Sequence, residues 1–285
     1  AQTDVAAAPD AALSLDAAAA PSDAAVNDTG ASPLNALFAH IGGKLVSVNA
    51  STGALTEIGA TGQNYIVLAW DDGAKVVRVI LDTYSPVGGG ATPKLGTMNL
   101  CTGAVTPGPA IKVGNDQVRR AEGLARDPST GKFHITVGRS GSGAATEFIT
   151  ESNGTIDVAT GTVTVLGNHN THQDDGDNLA FVGSTLHLLD VATGTNQGTV
   201  YTIDEMTGAA TKLVDTGPKV LRLAPDPTRN VVFVAYGEIN ATARGIATLN
   251  LTNGSFAKLG PDLPNGTYGG GQFTGLLSVP APSCP

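Results

Sequence analysis

Cysteine, tryptophan, methionine and charge are all scarce in this chain, and each shortage narrows what it can be. Two cysteines in 285 residues, Cys101 and Cys284, are too few for a disulfide-built miniature fold or a multi-cysteine zinc site. They suffice for one bridge in an oxidising compartment. A single tryptophan, Trp70, and only 5% aromatic residues leave the core to Val, Leu, Ile and Ala. Charged residues make up 14% and the formal net charge is −9, so the clustered basic surface needed for nucleic acid or an anionic membrane is missing. No apolar run nears the roughly 20 residues of a membrane-spanning helix. Catalytic signatures are missing as well: no Gly-x-Ser-x-Gly elbow, no His-Glu-x-x-His, and no Gly-x-Gly-x-x-Gly after a strand.

Glycine, by contrast, is abundant at 37 residues, which suits many short strands joined by many turns. Residues 1–33 (AQTDVAAAPDAALSLDAAAAPSDAAVNDTGASP) are an Ala, Asp, Pro and Ser mixture. Such a composition offers too little apolar surface to offset its own ordering entropy, so it reads as an extended low-complexity extension or linker. Residues 34–285 then form one domain.

Within that domain one phrase recurs five times: Lys44 to Gly59, Lys94 to Gly108, Gly154 to Gly167, Thr199 to Val214 and Gly245 to Gly260. In each, an alternating apolar strand ends at Asn49, Asn99, Asp157, Asp204 or Asn250, whose side chain can cap a turn. Four residues later Gly53, Gly103, Gly161, Gly208 or Gly254 supplies a left-handed φ, and a second strand follows. Successive glycines are 50, 58, 47 and 46 residues apart, the period of a propeller blade.

A second element precedes four of the phrases: Leu68-Ala69-Trp70-Asp71, Leu124-Ala125-Arg126-Asp127, Leu179-Ala180-Phe181 and Leu223-Ala224-Pro225-Asp226, each followed by another apolar strand. These supply two inner strands per blade, joined by Asp-Gly or Asp-Pro turns. The first phrase lacks its inner strand, and Gln272 to Ser278 is a strand without a hairpin. The expectation is an all-β propeller of five four-stranded blades, six being the alternative count, whose C-terminal strand closes the ring.

Val200-Tyr201-Thr202-Ile203-Asp204 with Thr207-Gly208, and Asn230-Val231-Val232-Phe233-Val234, resemble the blades of secreted bacterial and archaeal propellers of the YVTN type and their PQQ-like relatives. The resemblance covers residues 36–279 and implies architecture. The Trp found in most blades of the quinone-dependent relatives occurs here only as Trp70, so quinone-binding features are absent.

In this topology the interblade segments share an upper face and the hairpin turns a lower one. Cys101 in a turn of the second blade and Cys284 beyond the closing strand both fall on the lower face of adjacent blades, where a disulfide is expected. The extension also enters from the lower face. The upper face carries His169 to Asn178; Asp174, Asp175, Asp177 and Asn178 could supply oxygen ligands for Ca²⁺, and His169 with His172 could hold a transition metal. A solvated loop is the simpler reading of the same residues. Asp71, Glu122, Asp177 and Asp226 could form carboxylate pairs for glycosidic cleavage, although Asp71, Asp127 and Asp226 suit turns. Seven Asn-x-Ser/Thr sequons occur, at Asn27, Asn49, Asn153, Asn240, Asn250, Asn253 and Asn265.

These readings favour a non-enzymatic, secreted or cell-surface structural or adhesive propeller, its signal peptide removed ahead of Ala1. It would self-assemble head-to-tail, or bind another surface protein, through residues 1–33. A carbohydrate- or Ca-binding module that takes glycan on the loop-rich face is the alternative, and a glycan-active hydrolase or lyase is a third. Nucleic acid and membrane insertion are not expected.

Overall fold

Alternating apolar strands punctuated by Asx-Gly turns fold as the repeat demands. A computed structural model describes residues 34–63, 65–81, 92–139, 152–169, 171, 178–191, 198–217, 220–237, 243–264 and 266–284. Residues 1–33 lie outside the described residues.

The strands, in chain order, are β1 (Ala36–Ile41), β2 (Lys44–Val48), β3 (Leu55–Ala60), β4 (Ile66–Asp71), β5 (Val76–Leu81), β6 (Lys94–Met98) and β7 (Val105–Ala110). There follow β8 (Lys112–Val113), β9 (Asp116–Arg126), β10 (Phe133–Arg139), β11 (Ser152–Asp157), β12 (Thr162–Asn168), β13 (Asn178–Val182) and β14 (Thr185–Val191). The last are β15 (Gly198–Ile203), β16 (Ala210–Thr216), β17 (Val220–Asp226), β18 (Val231–Tyr236), β19 (Gly245–Leu249), β20 (Phe256–Lys258) and β21 (Phe273–Val279).

They form five antiparallel blades. The first is β21-β1-β2-β3, so the C-terminal strand pairs with the first strand, with Phe38 opposite Leu277 and Ala39 opposite Leu276. Blades two, four and five are β4 to β7, β13 to β16 and β17 to β20; the third holds β9 to β12. In that third blade β8 pairs antiparallel with the start of β9 and parallel with β12, closing the sheet on itself. The inner strands β21, β4, β9, β13 and β17 neighbour one another in that order around a ring.

Packing explains why the inner strands read as continuous apolar runs rather than alternating ones. Each blade is covered on both faces by its neighbours, so β4 and β17 are buried along nearly their whole length. The core accordingly divides into five clusters, one per seam between blades. Leu68, Val79 and Leu277 belong to the first seam, for example, and Ala224, Phe233 and Leu276 to the seam that closes the ring.

One segment between blades is more ordered than a loop. Pro109 to Gly123, between the second and third blades, holds β8 and most of an eleven-residue β9, because backbone groups there pair with β12 and β10. Residues Pro261 to Gly271 contain a tight turn at Thr267–Gly270 in which Tyr268 and Gly269 are left-handed, with φ of 51° and 65°.

Candidate functional site

The turns of the lower face form as the local chemistry requires. Asn49 Oδ1 accepts the Ser51 and Thr52 N–H groups at 2.9 and 3.0 Å, and Asp204 Oδ1 accepts those of Met206 and Thr207 at 2.8 and 2.9 Å. Asn99, Asp157 and Asn250 accept from Cys101, Ala159 and Thr252 in the same way. All five turn glycines have φ between +67° and +73°.

Cys101 and Cys284 are joined by a disulfide with Cα atoms 5.5 Å apart, linking a turn of the second blade to the segment beyond the closing strand of the first. Its lower-face position follows from the topology.

The inner strands end on that same face, and there a cavity of about 970 Å³ opens. It is lined by the ends of four inner strands at Trp70, Arg126, Phe181 and Pro225, and by Ser278 of the fifth. Each of these five residues is half-buried, whereas the residue before it is buried. From the centre the cavity continues outward along blade five, past Thr248 and Asn250 to Phe256.

The acidic residues around this mouth are held. Asp71 Oδ2 accepts from Arg78 Nε at 3.0 Å and NH2 at 2.9 Å, and its Oδ1 accepts the Ala74 N–H at 3.1 Å. Asp226 accepts from Arg229 and from the Thr228 hydroxyl and N–H. At Asp127 burial opposes ionisation, but hydrogen bonds from Thr130 and Ser129 outweigh it and bring the pKa to about 2. These are turn-building roles, the simpler of two sequence readings for Asp71 and Asp226 and the one reading for Asp127. Glu122, the remaining described member of the carboxylate shortlist, is buried and pairs with Arg120 at 3.0 Å.

At the upper end of the channel, Arg222 is buried and donates from Nε to the Thr274 carbonyl at 2.7 Å and from NH2 to the Tyr65 hydroxyl, with its guanidinium 5.3 Å from the Tyr65 ring centre. His40 lies buried between the Thr274 and Thr61 hydroxyls at 2.5 and 2.9 Å, and burial lowers its pKa to about 4. Neither arrangement is visible in the sequence, since each joins residues from distant repeats.

Of the four residues suggested for Ca²⁺, Asn178 is buried and its Oδ1 accepts the Leu223 N–H of the next blade at 2.8 Å. Asp174, Asp175 and Asp177 lie outside the described residues, as does His172. His169 is buried, with Nδ1 2.6 Å from the Thr171 hydroxyl. Among the described residues no group of three His, Cys, Asp or Glu side chains is placed to hold a metal ion. Sequon Asn153 is buried and donates to the Gly208 carbonyl at 3.0 Å, so a glycan has no room there. Asn49, Asn250 and Asn253 are exposed in turns, and Asn27, Asn240 and Asn265 lie outside the described residues.

No protein-family model matches the chain, and no curated protein matches it. Among solved structures it is similar to TolB from Acinetobacter baumannii, at 17% identity and a TM-score of 0.48, over 87% of this chain and 66% of that one. It thus spans just under two thirds of the TolB structure. It is also similar to an exo-β-1,3-galactanase from Phanerochaete chrysosporium with β-1,3-galactotriose, at 9% identity and a TM-score of 0.48, over 78% of this chain and 66% of that one. An oligogalacturonate lyase in complex with manganese matches at 15% identity and a TM-score of 0.37, over 79% and 62% of the respective chains. These likenesses assign no activity. The five four-stranded blades and the closure of the first by the last strand make this chain a β-propeller.

Proposed function

We propose that this protein is a non-enzymatic, secreted or cell-surface propeller with a structural or adhesive role, and that residues 1–33 of one copy engage another. The observation that supports the reading is double closure. β21 completes the first blade by hydrogen bonding, and the Cys101–Cys284 bridge adds a covalent link between ring segments 183 residues apart. A ring closed twice suits a rigid bead that keeps its shape in an oxidising exterior. The disulfide is compatible with secretion, and among the described residues no helix is long and apolar enough to cross a membrane. The described carboxylates of the glycosidase shortlist have salt-bridge partners that build turns or hold strands, which favours scaffold over catalyst.

Sedimentation velocity and negative-stain imaging of the oxidised full chain, against a chain lacking residues 1–30, test the reading. The full chain should form higher assemblies and the shortened one should stay a folded monomer. Assembly that survives the deletion, or a full chain that stays monomeric at its highest soluble concentration, would overturn it.

A further inference from the structure

We propose that the lower mouth of the channel is a binding site for a carboxylate-bearing glycan. The argument starts from the repeat. Where the inner strands end, the fold fixes some positions: Leu68, Leu124, Leu179 and Leu223 recur, as do Ala69, Ala125, Ala180 and Ala224, all buried in the seams. The next position is held by Trp70, Arg126, Phe181, Pro225 and Ser278, each half-buried and each lining the cavity. Architecture thus dictates the buried neighbours and leaves the chemistry of the five mouth positions free. Trp70 and Phe181 each pack against a seam cluster and also line the cavity.

The order around the ring puts Trp70, Arg126 and Phe181 on consecutive inner strands. β4, β9 and β13 are consecutive neighbours, so Arg126 stands between Trp70 and Phe181. Asp72, two residues beyond Trp70, is paired with Lys75 at 2.5 Å. Phe181 is fixed by an edge contact with His134, at 5.5 Å between ring centres. Arg126 is held at one point, Nε lying 3.4 Å from Asp71 Oδ1, a carboxylate already engaged by Arg78. Two guanidiniums share the Asp71 carboxylate. Asp226 is matched by Arg229, and Asp127 is turned into its own Ser129 and Thr130 hydroxyls. The guanidinium fork of Arg126 suits a carboxylate, and the flanking aromatic faces suit the C–H faces of pyranose rings.

Cavity shape argues for an oligomer. From the channel it runs outward beneath all the strands of blade five to Phe256 on β20. Crossing from β17 to β20 spans three interstrand spacings, about 14 Å, enough for roughly three sugar units in line. The site stands whether or not copies assemble through residues 1–33.

Trp70 is the chain's single tryptophan, so its fluorescence reports on this mouth alone. The test titrates the oxidised full chain with tetragalacturonate, its methyl ester, a neutral galactose tetrasaccharide and benzoate. The acidic tetrasaccharide should change the Trp70 emission saturably, and the other three should bind at least about ten-fold more weakly. Arg126→Gln should weaken the acidic tetrasaccharide about ten-fold or more while its melting curve matches the parent. Trp70→Phe, followed by calorimetry, should retain binding through its aromatic face. Equal binding of the neutral or esterified sugar, an affinity unchanged in Arg126→Gln, or benzoate binding as well as the tetrasaccharide would each overturn the site. Assembly is read separately by sedimentation, so failure of one reading is not failure of the other.

Discussion

Gly260, at the end of the fifth blade, lies against the backbone of Thr52 in a turn of the first, so closely that a Cβ on Gly260 would sit 2.1 Å from the Thr52 carbonyl oxygen. The same contact recurs at every seam. A Cβ would sit 2.1 Å from Thr102 O at Gly59, 2.2 Å from Ala110 O at Gly161, 2.0 Å from Thr207 O at Gly167 and 2.1 Å from Asp215 O at Gly254. The outer strand of each blade is thereby pressed onto the hairpin turn of the next, and only glycine permits the approach. Gly260→Ala should therefore destabilise the fold by about 2–4 kcal/mol, through displacement of the ring-closing seam. Gly217→Ala, where a Cβ meets nothing within 4 Å, should change stability by less than about 0.5 kcal/mol. Chemical denaturation of the two variants under oxidising conditions makes the comparison.

Removal of the disulfide should matter mainly through the unfolded chain. The bridge closes a loop of 183 residues. Loss of so long a constraint is worth on the order of 2–4 kcal/mol. Cys101→Ser with Cys284→Ser should lower the urea midpoint accordingly and leave the far-ultraviolet spectrum unchanged, because β21 still pairs with β1.

Acid should weaken the fold through His40. Burial lowers its folded-state pKa from 6.5 to about 4, so the folded state favours the neutral ring. The contribution is complete above the unfolded-state value and is lost as pH falls from about 6.5 to about 4, amounting to roughly 3 kcal/mol. Burial lowers the pKa of His134 and His187 as well, and both add in the same direction. Unfolding free energies measured across this window should fall with acid in the parent chain, and His40→Gln should flatten the slope.

Asn178→Ala tests a bond between blades. The Leu223 N–H that Asn178 Oδ1 accepts at 2.8 Å is buried and would lose that partner. A cost of about 1–3 kcal/mol follows, with faster amide exchange at Leu223 as the specific signature.

What could be read in advance was local or could be counted. Asn49, Asn99, Asp157, Asp204 and Asn250 cap their turns as their spacing from glycine implies, because an Asx turn is decided within five residues. The missing strand before the first phrase and the orphan Phe273–Val279 add up to one blade, since an unpaired inner strand leaves backbone groups unsatisfied. From that closure followed the pairing of Cys101 with Cys284.

The lower cavity was not legible in this way. Polar residues from His169 to Asn178 drew attention to the upper loops, where Asn178 serves the Leu223 backbone and residues 172–177 lie outside the described residues, while a cavity opens at the lower end. Gly260 looks like the close of a hairpin until Thr52 is placed beside it. By itself the sequence determined the blade and the way the ring shuts, since turn chemistry and strand counting act along the chain, and the structure decided five blades over six. Only the tertiary structure decided which of the repeated positions face a neighbour and which face the channel. Strand alternation gives a side chain one of two directions, and what waits in that direction is supplied by another repeat.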